Sequence, residues 1–233
     1  MSKFDQYTSD QSILFDLDGT IIDSRIGIIE TLHGVVRALG HEPDPSIDLT
    51  WVVGPPLAEL MAEVIRPYGE KRVEEAIAHY RRLYDETGRF QTPVFPHMAR
   101  LLKDLARSPV RIFTATSKPA SLARHILAQH KLDCCFDAVH GAADDDSGGE
   151  KPEMIARIMK QEGLSPARTL MIGDRRFDIS GAHANRLRAL GVLWGYGGES
   201  ELTEAGAEML VDAPEALEPA IHSQFHALAR QPS

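Results

Sequence analysis

Cysteine is almost absent from this chain: there are two, Cys134 and Cys135, and they are adjacent. An ordinary intrachain disulfide between neighbours is geometrically implausible, and no spacing of cysteines suited to a structural metal exists. The expected setting is a reducing cytoplasm. Positive charge is also short, with 25 Lys and Arg against 34 Asp and Glu for a net charge of −9. That deficit argues against a broad basic footprint for a nucleic-acid polymer or an anionic membrane, but leaves room for a local anion site. No apolar run approaches the ~20 residues needed to span a bilayer, and Met1 to Asp10 carry no apolar signal core, so no membrane partner is expected. What remains is ordinary globular material, 43 % hydrophobic and 25 % charged in 233 residues, enough for a sizeable core. The length fits one large domain or a core with an insertion.

Ile13-Leu14-Phe15 is a short apolar run stopped by Asp16 and then Gly19, the profile of a buried strand ending at a loop. From Ser24, Ile26, Ile29, Leu32, Val35 or Val36 and Leu39 recur at helical spacing up to Gly40. Leu57, Leu60, Met61 and Val64 repeat that spacing before Pro67, and Val73, Ile77, Tyr80 and Tyr84 before Gly88. Residues 22–92 therefore read as helices only. Beyond them the pattern predicts a helix over 97–107, a strand over 110–114, a helix opened by Pro119 and a strand over 136–139. A helix from Pro152 to Lys160, a strand over 169–172, a helix over 177–188, a strand over 189–194 and a weaker one over 209–211 follow. Strands separated by helices predict an α/β fold with a doubly wound parallel sheet. The expected division is a core of 1–21 and 93–233 and an inserted helical cap domain of 22–92.

In an open parallel sheet, ligands bind beyond the carboxyl ends of the strands. There the sequence sets Asp16 and Asp18 after the first strand, Thr116, Ser117 and Lys118 after the second, and Gly173, Asp174 and Asp178 after the strand over 169–172. Lys151 stands just before the helix that leads into that last strand. Four carboxylates on one edge repel, and their pKa values would rise unless a cation offset the charge. Magnesium suits Asp16, Asp18, Asp174 and Asp178, being a hard cation that takes carboxylate oxygens and keeps positions open for phosphate and water. Zinc does not, because no histidine or cysteine stands at these strand ends. Asp16 could then attack phosphorus, and Asp18, two residues on, could protonate the leaving oxygen and afterwards activate water. Thr116 could donate to a phosphoryl oxygen and Lys151 neutralise charge that develops in the transfer. Asp178 would hold Lys151 or a metal-bound water. Each piece also has a structural reading: Asp and Gly are common in turns, and Gly173-Asp-x-x-x-Asp178 suits a helix cap with a first-turn acid. Lys118 reads as a neighbour of the site, Arg175 and Arg176 as surface charges of which one could temper the acid cluster, and Trp194 and Tyr196 as packing at the sheet edge.

Asp16-Leu-Asp-Gly-Thr20, Thr116-Ser-Lys-Pro119, Lys151-Pro152 and Gly173-Asp-Arg-Arg-Phe-Asp178 resemble, in order, the four motifs of the haloacid dehalogenase superfamily in its phosphatase branch. The resemblance covers nearly the whole chain, including the helical cap between the first two motifs. It implies a magnesium-dependent phosphomonoester hydrolase working through an aspartyl-phosphate. The matching positions are then the nucleophile Asp16, the acid/base Asp18, the hydroxyl of Thr116, Lys151, and the magnesium-binding acids. Asp18 matters because dehalogenase members lack that acid and the phosphate-ester hydrolases keep it. Val53-Gly-Pro-Pro-Leu57 and Gly191-Val-Leu-Trp-Gly-Tyr-Gly197 are similar to phosphoglycolate phosphatases and to a related group of 5′-nucleotidases. The expected substrate is thus a small phosphorylated metabolite of the phosphoglycolate type, over which the cap closes to exclude water. Nucleoside monophosphates, or a phosphomutase outcome, are the alternatives. A receiver-type signalling module is the rival from another class, and it fits poorly because no Asp ends the middle strand over 110–114. The oligomeric state is left open.

Overall fold

Six parallel strands make one sheet in the computed structural model, which describes residues 7–54 and 57–229. They are β1 Ser12–Phe15, β2 Arg111–Pro119, β3 Ala138–Ala142, β4 Thr169–Gly173, β5 Arg188–Val192 and β6 Met209–Val211. Their spatial order is β3-β2-β1-β4-β5-β6. The chain therefore builds outward from β1 in one direction, returns to its other side and builds outward again. The reversal between β1 and β4 opens a crevice at the carboxyl ends of these strands.

The apolar run in β1 has a direct cause. Ile13 and Phe15 point into one layer, where α4 (Met98–Leu105), α5 (Ala120–Gln129) and α9 (Leu217–Ala229) supply Leu102, Ile126, Leu127 and Ile221. Leu14 points into the opposite layer, with Met154, Ile155 and Ile158 of α6 (Lys151–Glu162) and Ile179 of α7 (Arg176–Ala184). A strand covered on both faces has no polar side to alternate with. Cys135 is buried on the first layer, and burial pushes its thiol up to about 11, away from reactive thiolate.

Between β1 and α4 the chain is helical: α1 Arg25–Ala38, α2 Leu57–Ile65 and α3 Val73–Glu86. By contacts the described chain divides into one unit of Met1–Ile22 with Val94–Ser233 and a second of Asp23–Pro93. The second unit has its own apolar core, with Leu32, Val35, Met61, Val64, Ala76 and Tyr84 buried. The chain is thus an α/β protein with a doubly wound parallel sheet and an all-helical insertion. Among the described residues no helix is long and apolar enough to cross a membrane.

Three local differences from the sequence expectation have physical causes. The strand expected over 110–114 runs on to Pro119 through a register shift between Thr116 and Pro119, so a stretch read as a loop is an irregular strand end. The helix expected over 177–188 stops at Ala184, because Arg186 takes a left-handed φ of 62° and re-aims the chain into β5. Helices α8 (Glu199–Glu204) and α9 were not expected; in α9, Leu217, Ile221, Phe225 and Leu228 recur at helical spacing but are interrupted by Pro219, His222 and Gln224. Pro55 and Pro56, from the segment Val53 to Leu57, lie outside the described residues.

Candidate active site

Parallel pairing sets the ends of three strands side by side: Phe15 is level with Thr114 of β2 and with Ile172 of β4. The amide of Asp16 donates to Ile172 O at 2.9 Å, so the first residue beyond β1 is still held by the sheet. The same edge carries Thr116 and Asp174, and α6 begins with Lys151 close by.

Lys151 is 6 % exposed and spends its ammonium on three acceptors. Its Nζ lies 2.7 Å from Asp16 Oδ1, 2.6 Å from Ala115 O and 2.6 Å from Asp178 Oδ1. An ammonium has three donors, so nothing is left over. Burial alone would lower its pKa, but the carboxylates of Asp16 and Asp178 outweigh that and raise it, so Lys151 stays charged.

Asp16, Asp174 and Asp178 are all buried, and each offers an oxygen within 4.8 Å of the others. Burial pushes Asp16 up; Lys151 pulls it down, Asp178 and Asp18 push it up again, and it settles at about 7. Asp174 is raised well above the usual carboxylate range by burial and by the charges of Asp16 and Asp178. One oxygen of Asp174, Oδ2, accepts from the amide of Tyr196 at 2.6 Å. The other, Oδ1, is buried with no hydrogen-bond partner among the described residues. Three crowded carboxylates, an orphaned anionic oxygen and an all-oxygen donor set fit a hard divalent cation such as magnesium.

Asp178 serves two purposes. Its Oδ2 accepts from the amide of Arg175 at 3.1 Å, capping α7, while Oδ1 holds Lys151. The N-cap of α7 is Arg175 and not Asp174, while Asp178 is the expected first-turn acid and also holds Lys151.

Asp18 stands apart from the trio. A tight turn, closed by the amide of Gly19 donating to Ile22 O at 2.8 Å, carries its side chain to Lys118, whose Nζ lies 3.3 Å from Asp18 Oδ1. Lys118, read from the sequence as only a neighbour of the site, is 8 % exposed in its side chain, and its amide donates to Thr116 Oγ1 at 3.2 Å. The irregular end of β2 brings it in, and the adjacency of Ser117 and Lys118 to Thr116 was the only signal.

Glycines make the crowding possible. Gly19 has φ +83°, and a Cβ there would sit 2.2 Å from Asp174 Oδ2. A Cβ on Gly195 would lie 2.3 Å from Asp174 Cβ, and one on Gly197 2.0 Å from Asp174 O. Trp194 Nε1 donates to Thr20 O at 3.0 Å, so the segment after β5 lies directly over the first and fourth motifs. Gly191 to Gly197 supports the acid edge of the site.

If like-charge crowding costs stability, relieving it must raise stability. Asp174→Asn keeps an acceptor for the Tyr196 amide and removes one of three charges. In chelator, thermal unfolding of this variant is expected about 2–4 °C above wild type, the rise that ~1 kcal/mol gives at this size. An equal or lower melting temperature would show that the trio is not strained.

Comparisons place these features among known proteins. The family model described as haloacid dehalogenase-like hydrolase matches residues 13–192. A 5′-nucleotidase of Pseudomonas aeruginosa is 36 % identical over 191 residues, covering 82 % of this chain and 86 % of that one. The tyrosine-protein kinase PtkA of Mycobacterium tuberculosis is 38 % identical over 191 residues, covering 81 % of this chain but only 64 % of that longer protein. Among solved structures, one described as a predicted phosphatase from Clostridium acetobutylicum has a TM-score of 0.82 at 31 % identity, covering 91 % of this chain and 98 % of that one.

Proposed function

Because this chain belongs to the haloacid dehalogenase-like hydrolases and is a phosphatase of that family, we propose that it is magnesium-dependent, passes the phosphoryl group through Asp16, and acts on a small phosphorylated metabolite. The observation that carries this reading is the buried Lys151 ammonium tying Asp16 to Asp178 beside the unpartnered oxygen of Asp174. Asp16 and Asp174, with Asp178 alongside, would hold magnesium, which when bound offsets the charge gathered on the carboxylates and the phosphate.

Lys151 orients Asp16 through Oδ1, and the carboxylate attacks phosphorus. The Asp16 O–P bond forms as the ester P–O bond breaks, and Asp18 gives its proton to the leaving oxygen. Asp18 then takes a proton from water, the water oxygen bonds phosphorus, and the Asp16 O–P bond breaks to release phosphate. Thr116 accepts from the Lys118 amide, so its own hydroxyl proton is available to a phosphoryl oxygen. Lys118, beside Asp18, holds the acid in place between the two steps.

Phosphoglycolate is the first substrate reading, resting on the motif resemblance. Nucleoside 5′-monophosphates are the second, favoured by the relative named a 5′-nucleotidase. The choice is assigned to the helical unit Asp23–Pro93, read as the cap. A cytoplasmic setting fits two cysteines that are both free thiols.

Inorganic phosphate released from 2-phosphoglycolate, nucleoside 5′-monophosphates and a sugar phosphate, with magnesium and with chelator, tests the reading. Release should stop in chelator and return when magnesium is restored. Undiminished turnover in chelator would remove the metal, and an isomerised ester without free phosphate would make the enzyme a mutase.

A further inference from the structure

The Arg175 and Arg176 pair lies between the two acids of the fourth motif, and what fixes that short stretch is a residue from a different element. Glu201, on α8, points its carboxylate at both arginines. Its Oε1 accepts from Arg175 Nε at 2.9 Å and from the backbone amide of Arg176 at 2.9 Å, while Oε2 lies 4.0 Å from an Arg176 guanidinium nitrogen. The first amides of a helix have no partner within it. In α7 the Arg175 amide is taken by Asp178 and the Arg176 amide by Glu201. Glu201 is thus a cap supplied from outside the helix, at the end whose dipole favours a negative charge.

The segment leading into α8 grips the same stretch from its other side. Tyr196 donates to Asp174 Oδ2, and Gly197 packs its backbone so closely on Asp174 O that a Cβ would stand 2.0 Å away. Asp174 to Asp178 is therefore clamped by Tyr196 and Gly197 at its beginning and by Glu201 in its middle. Such a clamp has work to do. Without a cation the crowded carboxylates push apart, and any slack in this stretch lets Asp174 and Asp178 drift from the geometry that binds one.

We propose that Glu201 is a positioning residue for the divalent cation, holding the turn from Asp174 to Asp178 in its metal-binding geometry through Arg175 and Arg176. This rests on the magnesium reading above. Glu201 touches the two arginines, and the ligands' own oxygens are unchanged when it is replaced. The expected signature is therefore a weaker metal site, with substrate binding preserved once metal is saturating. Outer partners of metal ligands commonly govern affinity in this way, by about 10–100-fold.

The test uses the full chain as wild type, Glu201→Ala and Glu201→Gln, with para-nitrophenyl phosphate as substrate. Two readouts are taken: the magnesium concentration giving half-maximal turnover, and the magnesium-induced rise in melting temperature without substrate. Glu201→Ala should need about ten-fold more magnesium and show a smaller rise, with KM at saturating magnesium within two-fold of wild type. Glu201→Gln keeps an acceptor for the Arg176 amide and should recover most of the affinity. A Glu201→Ala protein whose magnesium requirement matches wild type overturns the proposal. So does one whose melting temperature falls while its magnesium-induced rise is unchanged, and so does Glu201→Gln behaving like Glu201→Ala. A wild type that neither needs magnesium nor is stabilised by it overturns the metal reading itself, a result distinct from the other three.

Discussion

Asp16→Asn is expected to abolish phosphate release while leaving the protein folded. The amide keeps the shape of the carboxylate and can still accept from Lys151 Nζ, now at 2.7 Å from Asp16 Oδ1, but it cannot form the acyl phosphate. Removing a covalent nucleophile costs on the order of 10⁴–10⁶ in turnover. Stability should move little, because two effects oppose each other. The ion pair with Lys151 weakens, and the repulsion from Asp178 and Asp174 is relieved. A phosphate assay with thermal unfolding on the same preparation checks both halves. A folded variant retaining more than a hundredth of wild-type turnover would remove Asp16 as the nucleophile.

Lys151→Met should do more damage to the fold. The ammonium lies buried between Asp16 and Asp178, and among the described residues no other cation is bonded to either carboxylate oxygen it occupies. Removing one partner of a buried ion pair leaves charge without compensation, at a cost of about 3–5 kcal/mol. For a chain of this size that lowers the melting temperature by roughly 10 °C. Turnover should fall as well, since Asp16 loses the contact that aims it and the transferred phosphoryl loses a neighbouring positive charge. Assaying well below the variant's own melting temperature separates the two losses: activity must be down even where the variant is fully folded. Lys151→Met that melts with wild type would show that the three carboxylates do not depend on this ammonium.

Much of this was legible from short patterns. Ile13-Leu14-Phe15 announces β1 because both faces of that strand are buried, and Asp16 and Gly19 mark where it ends. The order of the four motifs sets Asp16, Thr116 and Asp174 beyond strand ends that parallel register makes neighbours, and Lys151 reaches them from the start of α6. What did not read out depends on contacts between distant parts of the chain. Lys151 lies 135 residues from Asp16, and only folding shows that its ammonium takes Ala115 O as a third partner. Lys118 reads only as a neighbour of the site, because an irregular strand end, invisible in composition, is what swings it to Asp18. Trp194 to Gly197 carried no chemical side-chain pattern, yet the backbone of Gly195 to Gly197 packs on Asp174 and the Tyr196 amide donates to its Oδ2. Helix α9 was missed because Pro219, His222 and Gln224 break the apolar periodicity that Leu217, Ile221 and Phe225 otherwise keep.

The covalent step is the centre of the proposed chemistry, and trapping it is the most direct measurement. Para-nitrophenyl phosphate has a leaving group that departs without protonation, so Asp18→Asn should still permit transfer to Asp16 while slowing attack by water. Mixed with that substrate and magnesium, quenched in acid and digested, the Asp18→Asn protein should yield its phosphoryl group on the peptide carrying Asp16, at that residue. Nitrophenol released in a burst equal to the enzyme present should accompany it. Steady release with Asp16 unmodified, or a phosphoryl group found on another residue, would contradict the mechanism.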